Sequence, residues 1–190
     1  YHHGDLPRAL LAEAVHIIQE QGVESLTLRG VGERLGVSRT ALYRHFSSKQ
    51  ALLGSVAAEG FRTLRAELIA AYEAAARGRR GFEEMGLAYV RFAIGHPSHY
   101  RVMFGGFVSV DDVDPDRTSV GADAFQVLVD AIVEQQQAGL VRGDDPRMLA
   151  VYIWSVVHGV AMLALDGMLK PPADADTLKM FANERVRTGI

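Results

Sequence analysis

The stretch of sequence that decides the fold runs from Thr27 to Lys49 and reads TLRGVGERLGVSRTALYRHFSSK. Its apolar residues recur three and four positions apart on both sides of Gly36, which is typical of two short amphipathic helices. Thr27 can cap the first helix and Ser38 the second, since a hydroxyl there accepts a hydrogen bond from a first-turn backbone N–H. Gly36 tolerates the left-handed conformation that a tight turn needs. The stretch therefore predicts a helix-turn-helix, in which the two helices cross at a steep angle.

The inner faces of these two helices carry the small and apolar residues that close crossing requires. Gly32 lets the two backbones approach, and Val37 packs beneath the turn. Arg34, in contrast, is interpreted as a charge on a solvated helix face. We expect burial of Leu28, Val31, Leu35, Ala41, Leu42 and Phe46.

Charge sets this stretch apart from the rest of the chain. The whole chain has a formal net charge of −3, which argues against a uniformly basic surface. Between Thr27 and Lys49, however, there are five basic residues and one acidic residue. A basic island in an acidic protein predicts one face that binds an anion. The polar residues on the outer side of the second helix suit a major groove, because arginine can pair with guanine edges and other polar groups can contact phosphates.

This stretch resembles the TetR family of repressors, most clearly in Gly36-Val37-Ser38, in Leu42-Tyr43-Arg44-His45-Phe46 and in Lys49. The opening residues Tyr1 to Leu6 are also similar to the start of many such regulators. The resemblance implies that Arg39, Thr40 and Arg44 face bases and that Thr27, Tyr43, His45 and Lys49 contact phosphates. For Arg29 and Arg44, the alternative is a charge that only solvates a helix face. The predicted DNA-binding set is Thr27, Arg29, Ser38, Arg39, Thr40, Tyr43, Arg44, His45 and Lys49.

Gly32 is a departure from the family pattern, which commonly has alanine at this position. Glycine preserves the close packing of the helices but weakens a helix by roughly 1 kcal/mol relative to alanine. We expect the glycine to lower stability without changing function.

Helix signals dominate the rest of the chain, and strand alternation is nearly absent. We expect further helices after a cap at Asp5, from Ser47 or Ser48 onward, and at about 82–94, 98–104, 119–138, 145–168 and 174–187. A break is expected at 77–81 and a loop at 105–118, where glycine, proline and aspartate cluster. The predicted fold is all-α with about nine helices. A three-helix DNA-binding head occupies residues 1–60, and a larger ligand-binding and dimerisation body occupies residues 61–190.

The segment from Leu149 to Leu165 is almost entirely apolar and lies at the short end of the range that can span a bilayer. It carries Ser155, His158 and Gly159 in its middle, so we interpret it as a buried core helix. Such a helix must be covered on all sides, and a second copy of the chain can supply the cover. We predict a homodimer in which the helices near 119–138 and 145–168 form a four-helix bundle with their symmetry mates. A dimer places the second helix of each helix-turn-helix about one DNA turn from its symmetry mate. This spacing implies a palindromic operator in double-stranded DNA.

The body is expected to hold a small-molecule effector. Its segment from Trp154 to Gly159, which reads WSVVHG, is similar to a pattern in one branch of TetR-type C-terminal domains. Apolar walls with few polar groups predict an apolar or amphipathic effector. The family resemblance implies a repressor that the effector releases from DNA, and activation is the alternative that the sequence leaves open. Core packing is the alternative for each lining residue, above all for His158. The candidates are Tyr89, Phe92, His99, Tyr100, Met103, Phe104, Phe107, Phe125, Trp154, His158 and Met162.

We predict no enzymatic activity, no cofactor, no metal and no membrane partner. The sequence shows no nucleophile–base pair, paired-carboxylate motif, phosphate-binding loop or glycine-rich dinucleotide turn. It has no cysteine, and His96 and His99 lack carboxylates at metal-ligand spacing. A helical carrier of lipids or other ligands is the remaining alternative, against which the basic island argues. The expected location is the cytoplasm, since the N-terminal residues show no basic-then-apolar signal segment.

Overall fold

The computed structural model describes residues 6–108 and 115–169, with the side chains of 115–119 outside the description. These residues form eight α-helices and one short 3₁₀ helix, and no strand occurs among them. The prediction of an all-α fold is confirmed, while Asp5 and the helix predicted at 174–187 lie outside the described residues. The helices are α1 (Leu6–Gln21), the 3₁₀ helix (Val23–Ser25), α2 (Leu28–Leu35), α3 (Arg39–Tyr43), α4 (Lys49–Ala74), α5 (Gly78–Gly95), α6 (Pro97–Phe104), α7 (Pro115–Gln137) and α8 (Pro146–Leu165).

The chain divides into two compact units. The first unit consists of the residues up to Phe61 together with His96–Gly121, so it contains α6 as well as the helix-turn-helix. The second unit consists of Arg62–Gly95 and the residues from Ala122 onward. Helices α4 and α7 each begin in the first unit and end in the second.

Local side-chain chemistry in the first unit is as the sequence predicts. Thr27 Oγ1 accepts a hydrogen bond of 3.0 Å from the Gly30 N–H and caps α2. Ser38 Oγ accepts one of 3.2 Å from the Ala41 N–H and caps α3. Gly36 closes α2 in the left-handed conformation, with φ of 65°. These caps satisfy backbone donors that the start of a helix leaves without an intrahelical partner.

The core of the first unit joins the inner faces of α1, α2, α3, α4 and α6. Leu28, Val31, Leu42 and Phe46 are buried as predicted, whereas Leu35 and Ala41 are only half-buried. Val102 of α6 belongs to the same cluster of buried side chains. The other buried members include Leu10, Ala14, Ile17, Ile18, Val23, Leu26, Leu52, Leu53 and Val56.

Two helices begin four residues earlier than predicted. The break expected at 77–81 ends at Gly78, which has a φ of 57° and starts α5. Gly81 lies within α5 and not in a loop. It allows close packing, because a Cβ there would lie 2.7 Å from the Tyr72 carbonyl oxygen. Helix α7 begins at Pro115, a residue that is tolerated in the first turn of a helix.

In the second unit, α5 and α7 each pack against α8, and the end of α4 meets α7. Its buried cluster joins Val129 and Ile132 of α7 to Ala150 of α8. The Gln135 side-chain amide donates a hydrogen bond of 3.0 Å to the Tyr72 hydroxyl, and both residues are buried. This bond satisfies two polar groups that would otherwise be costly to bury.

Helix α8 is much less covered than the sequence predicts. Only Ala150 and Ala161 are buried, and Met148 and Tyr152 are 68% and 49% exposed. In a single copy the described helices cover only part of α8, so its burial on all sides stays a prediction that depends on a second copy. By length and apolar composition alone, this helix also meets the requirement for crossing a membrane.

Candidate functional site

The predicted DNA-binding residues form one exposed constellation on α2, α3 and the turns beside them. The side chains of Thr27, Ser38, Thr40, Arg44 and His45 are exposed, and Lys49 is half-buried at the start of α4. Helix α3 is shorter than predicted and ends at Tyr43, although backbone hydrogen bonds continue to Phe46. The apolar residues of the same segment face inward, so the polar residues are held at the surface by the burial of their neighbours.

Arg39 and Tyr43 contact each other on the exposed side of α3. The Arg39 guanidinium carbon lies 5.3 Å from the centre of the Tyr43 ring, and Tyr43 is 45% exposed. A cation–π contact at such an exposed site contributes about 0.5–1 kcal/mol. The spacing of four residues along a helix was the sequence signal for this pair. The contact restricts where the guanidinium can point without removing its hydrogen-bond donors.

The two capping hydroxyls can serve a second purpose. The oxygen atoms of Thr27 and Ser38 each accept a backbone N–H in the caps described above. A hydroxyl that accepts one hydrogen bond retains its own proton as a donor. Both groups can therefore hold the helix start and donate to an anion at the same time.

Lys49 has a structural partner that the sequence did not indicate. Its ammonium group donates a hydrogen bond of 3.1 Å to the Glu24 backbone carbonyl in the 3₁₀ helix. This bond ties the start of α4 to the corner between α1 and α2. An ammonium group has three donors, so this bond uses one of them.

Two further arginines of the basic island are paired with carboxylates. The Arg29 Nε lies 2.6 Å from Glu33 Oε1, with both side chains strongly exposed, and the guanidinium keeps its remaining N–H donors. Arg34 bridges α2 to α1 through Glu13 at 3.3 Å and Glu20 at 2.7 Å. Hydrogen bonding to Arg34 lowers the pKa of Glu20. Arg34 is exposed, as predicted, but it also joins α2 to α1 through these ion pairs.

The predicted effector residues are divided between the two units. Tyr89, Phe92, Phe125, Trp154, His158 and Met162 belong to the second unit, and His99, Tyr100, Met103, Phe104 and Phe107 belong to the first. Met103 and Phe107 pack against the buried cluster of the first unit. The Phe104 ring meets the Phe61 ring edge-on, with 5.5 Å between ring centres. The effector role of all eleven residues stays a prediction.

In the second unit, Tyr89 connects α5 to α8 through a polar node formed by Tyr89, Trp154 and His158. The Trp154 Nε1–H donates to the Tyr89 hydroxyl at 3.0 Å, and that hydroxyl lies 3.1 Å from His158 Nδ1. Burial lowers the pKa of His158, which favours the neutral ring. With its proton on Nε2, the neutral ring accepts the Tyr89 O–H at Nδ1. Phe125 of α7 adds an edge-on contact with Trp154, with 6.1 Å between ring centres.

The described residues also bear on the predicted absence of a metal. Among them, no group of three or more histidine, aspartate or glutamate side chains is placed to hold a metal ion. His96 and His99 do lie together, with 6.0 Å between their ring centres.

Comparison with known families assigns this architecture. Residues 10–56 match the family described as bacterial regulatory proteins, tetR family. Residues 82–184, more than half of the chain, match the tetracyclin repressor-like C-terminal domain. The chain belongs to the tetR family. This is a family of DNA-binding transcriptional regulators and not of enzymes, which agrees with the absence of enzymatic motifs.

Individual relatives support this assignment over different lengths. The class A tetracycline repressor of Escherichia coli is 45% identical over 51 residues, which span 27% of this chain and only 24% of the repressor. An uncharacterized HTH-type transcriptional regulator of Mycobacterium tuberculosis is 26% identical over 94% of this chain and 78% of its own length. A solved structure from Rhodococcus sp. RHA1, of unknown function, is 32% identical, with a TM-score of 0.87 over 99% of this chain and 97% of that one.

Proposed function

We propose that this tetR-family protein is a cytoplasmic repressor that binds a palindromic operator as a homodimer and is released by a small apolar or amphipathic effector. In this proposal residues 1–60 bind DNA, and residues 61–190 bind the effector and the second copy. The observation that carries the proposal is the exposed constellation on α2, α3 and the start of α4. It combines hydroxyl, guanidinium, imidazole and ammonium donors on one short segment.

The chemistry of the constellation suits a DNA duplex. Thr27, Tyr43, His45 and Lys49 can donate to phosphate oxygens, which fix the register of a protein on DNA. The guanidinium of Arg39, stacked on Tyr43, can pair with the N7 and O6 atoms of guanine.

DNA binding is tested with a labelled duplex from the region upstream of the protein's own gene. We expect Tyr43→Ala and Lys49→Ala each to weaken binding, at a cost of about 1–3 kcal/mol for a lost contact of this kind. Arg80→Ala is the matched control, because it removes an exposed positive charge from α5 in the second unit. Unchanged affinity in both head variants, or an equal loss in the control, would contradict the proposed interface.

Lys49→Ala needs a second measurement, because this change also removes the bond to the Glu24 carbonyl. Loss of a phosphate contact reduces the slope of log affinity against log salt by about one unit, whereas loss of a structural bond leaves the slope unchanged. A reduced slope together with near wild-type unfolding assigns Lys49 to DNA. An unchanged slope with lower stability assigns it to the corner alone.

Exposed apolar residues on α8 support the homodimer. Met148, Val151, Tyr152 and Leu163 are large apolar residues at the surface of a single copy. Several large apolar side chains exposed on one helix are costly in water and are typical of an interface. A two-fold partner of the same sequence presents an identical apolar surface, as an isologous interface requires.

The polar node supports an effector region in the second unit. Tyr89, Trp154 and His158 join α5 to α8, and an effector that competes for any of these hydrogen bonds would change how the two helices are held. Binding would shift the population between conformations that differ in DNA affinity. Trp154 is the single tryptophan of the chain, so its fluorescence reports directly on this region. We expect compounds that change Trp154 emission in a panel of apolar and amphipathic molecules also to release labelled DNA. Emission changes without DNA release in every case would contradict effector control.

A further inference from the structure

The arginines of the basic island differ in what their guanidinium groups contact. Arg29 and Arg34 each meet a carboxylate, as described above. Within the part of the chain that the structure describes, Arg39 makes no ion pair. Its guanidinium carbon lies over the ring of Tyr43 instead, 5.3 Å from the ring centre. Arg39 therefore keeps its N–H donors available on the surface that is proposed to bind DNA.

The backbone that carries Arg39 and Tyr43 is held in place by its neighbours. The Ser38 cap makes Arg39 the first residue of α3. Leu42, directly before Tyr43, is only 2% exposed and anchors the inner face of the helix. Side chains of a helix lean toward its N-terminus, so the Tyr43 ring leans back over the turn that begins at Arg39.

The ring contact restricts the guanidinium at no cost in hydrogen-bond donors. An arginine side chain has several rotatable bonds, and fixing it in one position on binding costs conformational entropy. Contact with Tyr43 incurs part of this cost before DNA is bound. A cation–π contact needs no oxygen or nitrogen acceptor, so the N–H groups can still donate to a base.

We propose that Tyr43 is a positioning residue, whose ring holds the Arg39 guanidinium for paired hydrogen bonds to a guanine in each operator half-site. Guanine presents two acceptors, N7 and O6, that match arginine donors, whereas adenine presents an acceptor beside a donor. This role rests on the proposed DNA binding and adds a base preference to it. The Tyr43 hydroxyl is then the phosphate donor, and the Tyr43 ring acts on the base through Arg39.

The contact is measured first in the protein without DNA. Protons that lie over an aromatic ring are shifted upfield in an NMR spectrum. We expect such shifts for the Arg39 side chain in the wild type and in Tyr43→Phe, which keeps a ring. Tyr43→Leu should lose them. Equal Arg39 shifts in Tyr43→Leu and in the wild type would overturn the positioning role.

Base preference is measured by selecting bound sequences from a library of random DNA duplexes. We expect the sites selected by the wild type to share a guanine that Arg39→Ala no longer selects. Exchanging this G·C pair for A·T should weaken wild-type binding about 5- to 150-fold, the usual discrimination of a paired contact. The same exchange should have much less effect on Arg39→Ala.

The two Tyr43 variants separate the ring from the hydroxyl. Tyr43→Phe should bind every duplex more weakly, because it lacks the phosphate donor, but should keep the wild-type ratio of affinities for the G·C and A·T duplexes. Tyr43→Leu should reduce this ratio several-fold. Tyr43 is 45% exposed, and urea unfolding checks that both variants are folded. Equal ratios in the two variants would overturn the positioning role, because loss of a phosphate contact alone does not change base preference.

Arg29→Ala is the matched control, because it removes a charge of the same basic island that is paired with Glu33. This variant should keep the wild-type ratio. Guanine preference that survives in Arg39→Ala would overturn the inference. An equal loss on both duplexes in Arg39→Ala, with a smaller salt slope, would assign Arg39 to a phosphate and would also overturn it. Failure to select any duplex would contradict the proposed function itself, and the base preference with it.

Discussion

The hydroxyl group of Thr27 combines a structural role with a proposed contact to DNA. Its oxygen accepts the Gly30 N–H, and its proton can still be donated to a phosphate. Alanine removes both roles, whereas glycine is tolerated as a helix cap but also lacks the hydroxyl.

We predict that Thr27→Ala lowers the free energy of unfolding by about 1 kcal/mol and that Thr27→Gly lowers it by only a few tenths. Both variants should lose the same DNA affinity, because both lack the donor. Urea unfolding and DNA titration on the same samples provide the test. A much larger loss of affinity in the alanine variant would mean that Thr27 acts through its cap alone.

His158 makes the stability of the second unit depend on pH. Burial lowers its pKa, so the unfolded chain takes up a proton more readily than the folded one. Stability is then full at neutral pH and falls as the pH drops through the unfolded value of about 6.5. With its proton on Nε2, neutral His158 accepts the Tyr89 O–H at Nδ1, and the protonated ring cannot accept it there.

We predict that unfolding followed by Trp154 fluorescence shows a smaller loss of stability on acidification in His158→Asn than in the wild type. His45→Asn is the control, because His45 is exposed in the first unit. An identical pH dependence in the wild type and in His158→Asn would exclude this histidine as the source.

At the scale of helices, three glycines in helix interiors differ in the space around them. A Cβ at Gly86 would make an ordinary contact of 3.8 Å with Val157. At Gly32 it would lie 3.2 Å from the buried Leu42 side chain, which must shift slightly. At Gly60 it would meet both His99 and Met103 of α6.

We predict a corresponding order of stability for the three alanine variants, measured by urea unfolding. Gly86→Ala should gain up to about 1 kcal/mol from helix propensity, and Gly32→Ala should gain less. Gly60→Ala should lose stability, because overpacking costs about 1–3 kcal/mol and exceeds the gain in propensity. A Gly60→Ala protein as stable as Gly86→Ala would show that α4 and α6 are not in tight contact.

What could be predicted from the sequence was mostly local. The caps at Thr27 and Ser38 and the left-handed Gly36 depend on residues within four positions of each other, so residue type and spacing specify them. Exposure of the polar residues followed from burial of Leu42 and Phe46 in the same helical pattern.

What the sequence left open depends on contacts between distant residues. The Lys49 bond to Glu24 joins residues 25 positions apart, and the Tyr89 bond to Trp154 joins residues 65 apart. Periodicity indicates which face of a helix is buried but not which helix covers it. Periodicity therefore did not indicate that α6 packs with α1 and the 3₁₀ helix.

At the scale of the whole molecule, the proposal requires two copies of the chain. The exposed apolar residues of α8 are the surface that the second copy would cover. We predict that Val151→Glu, which places a charge on this surface, shifts the protein from dimer to monomer in analytical ultracentrifugation and weakens DNA binding. The loss of DNA affinity follows because one head then binds alone.

Ile94→Glu is the matched control for this variant. Ile94 is also a large exposed apolar residue, but it lies on α5. The Ile94→Glu variant should therefore remain a dimer. Dissociation by both variants would point to general destabilisation, and a wild type that sediments as a monomer would contradict the dimer itself.

The central claim is that the surface formed by α2, α3 and the start of α4 binds DNA. The most direct test is to record amide chemical shifts of the full chain while a short duplex is added at low salt, where binding does not require the operator sequence. We predict that the largest shifts fall on Thr27, Ser38 to His45, and Lys49. The absence of any shift, or shifts confined to residues outside the first unit, would contradict the account.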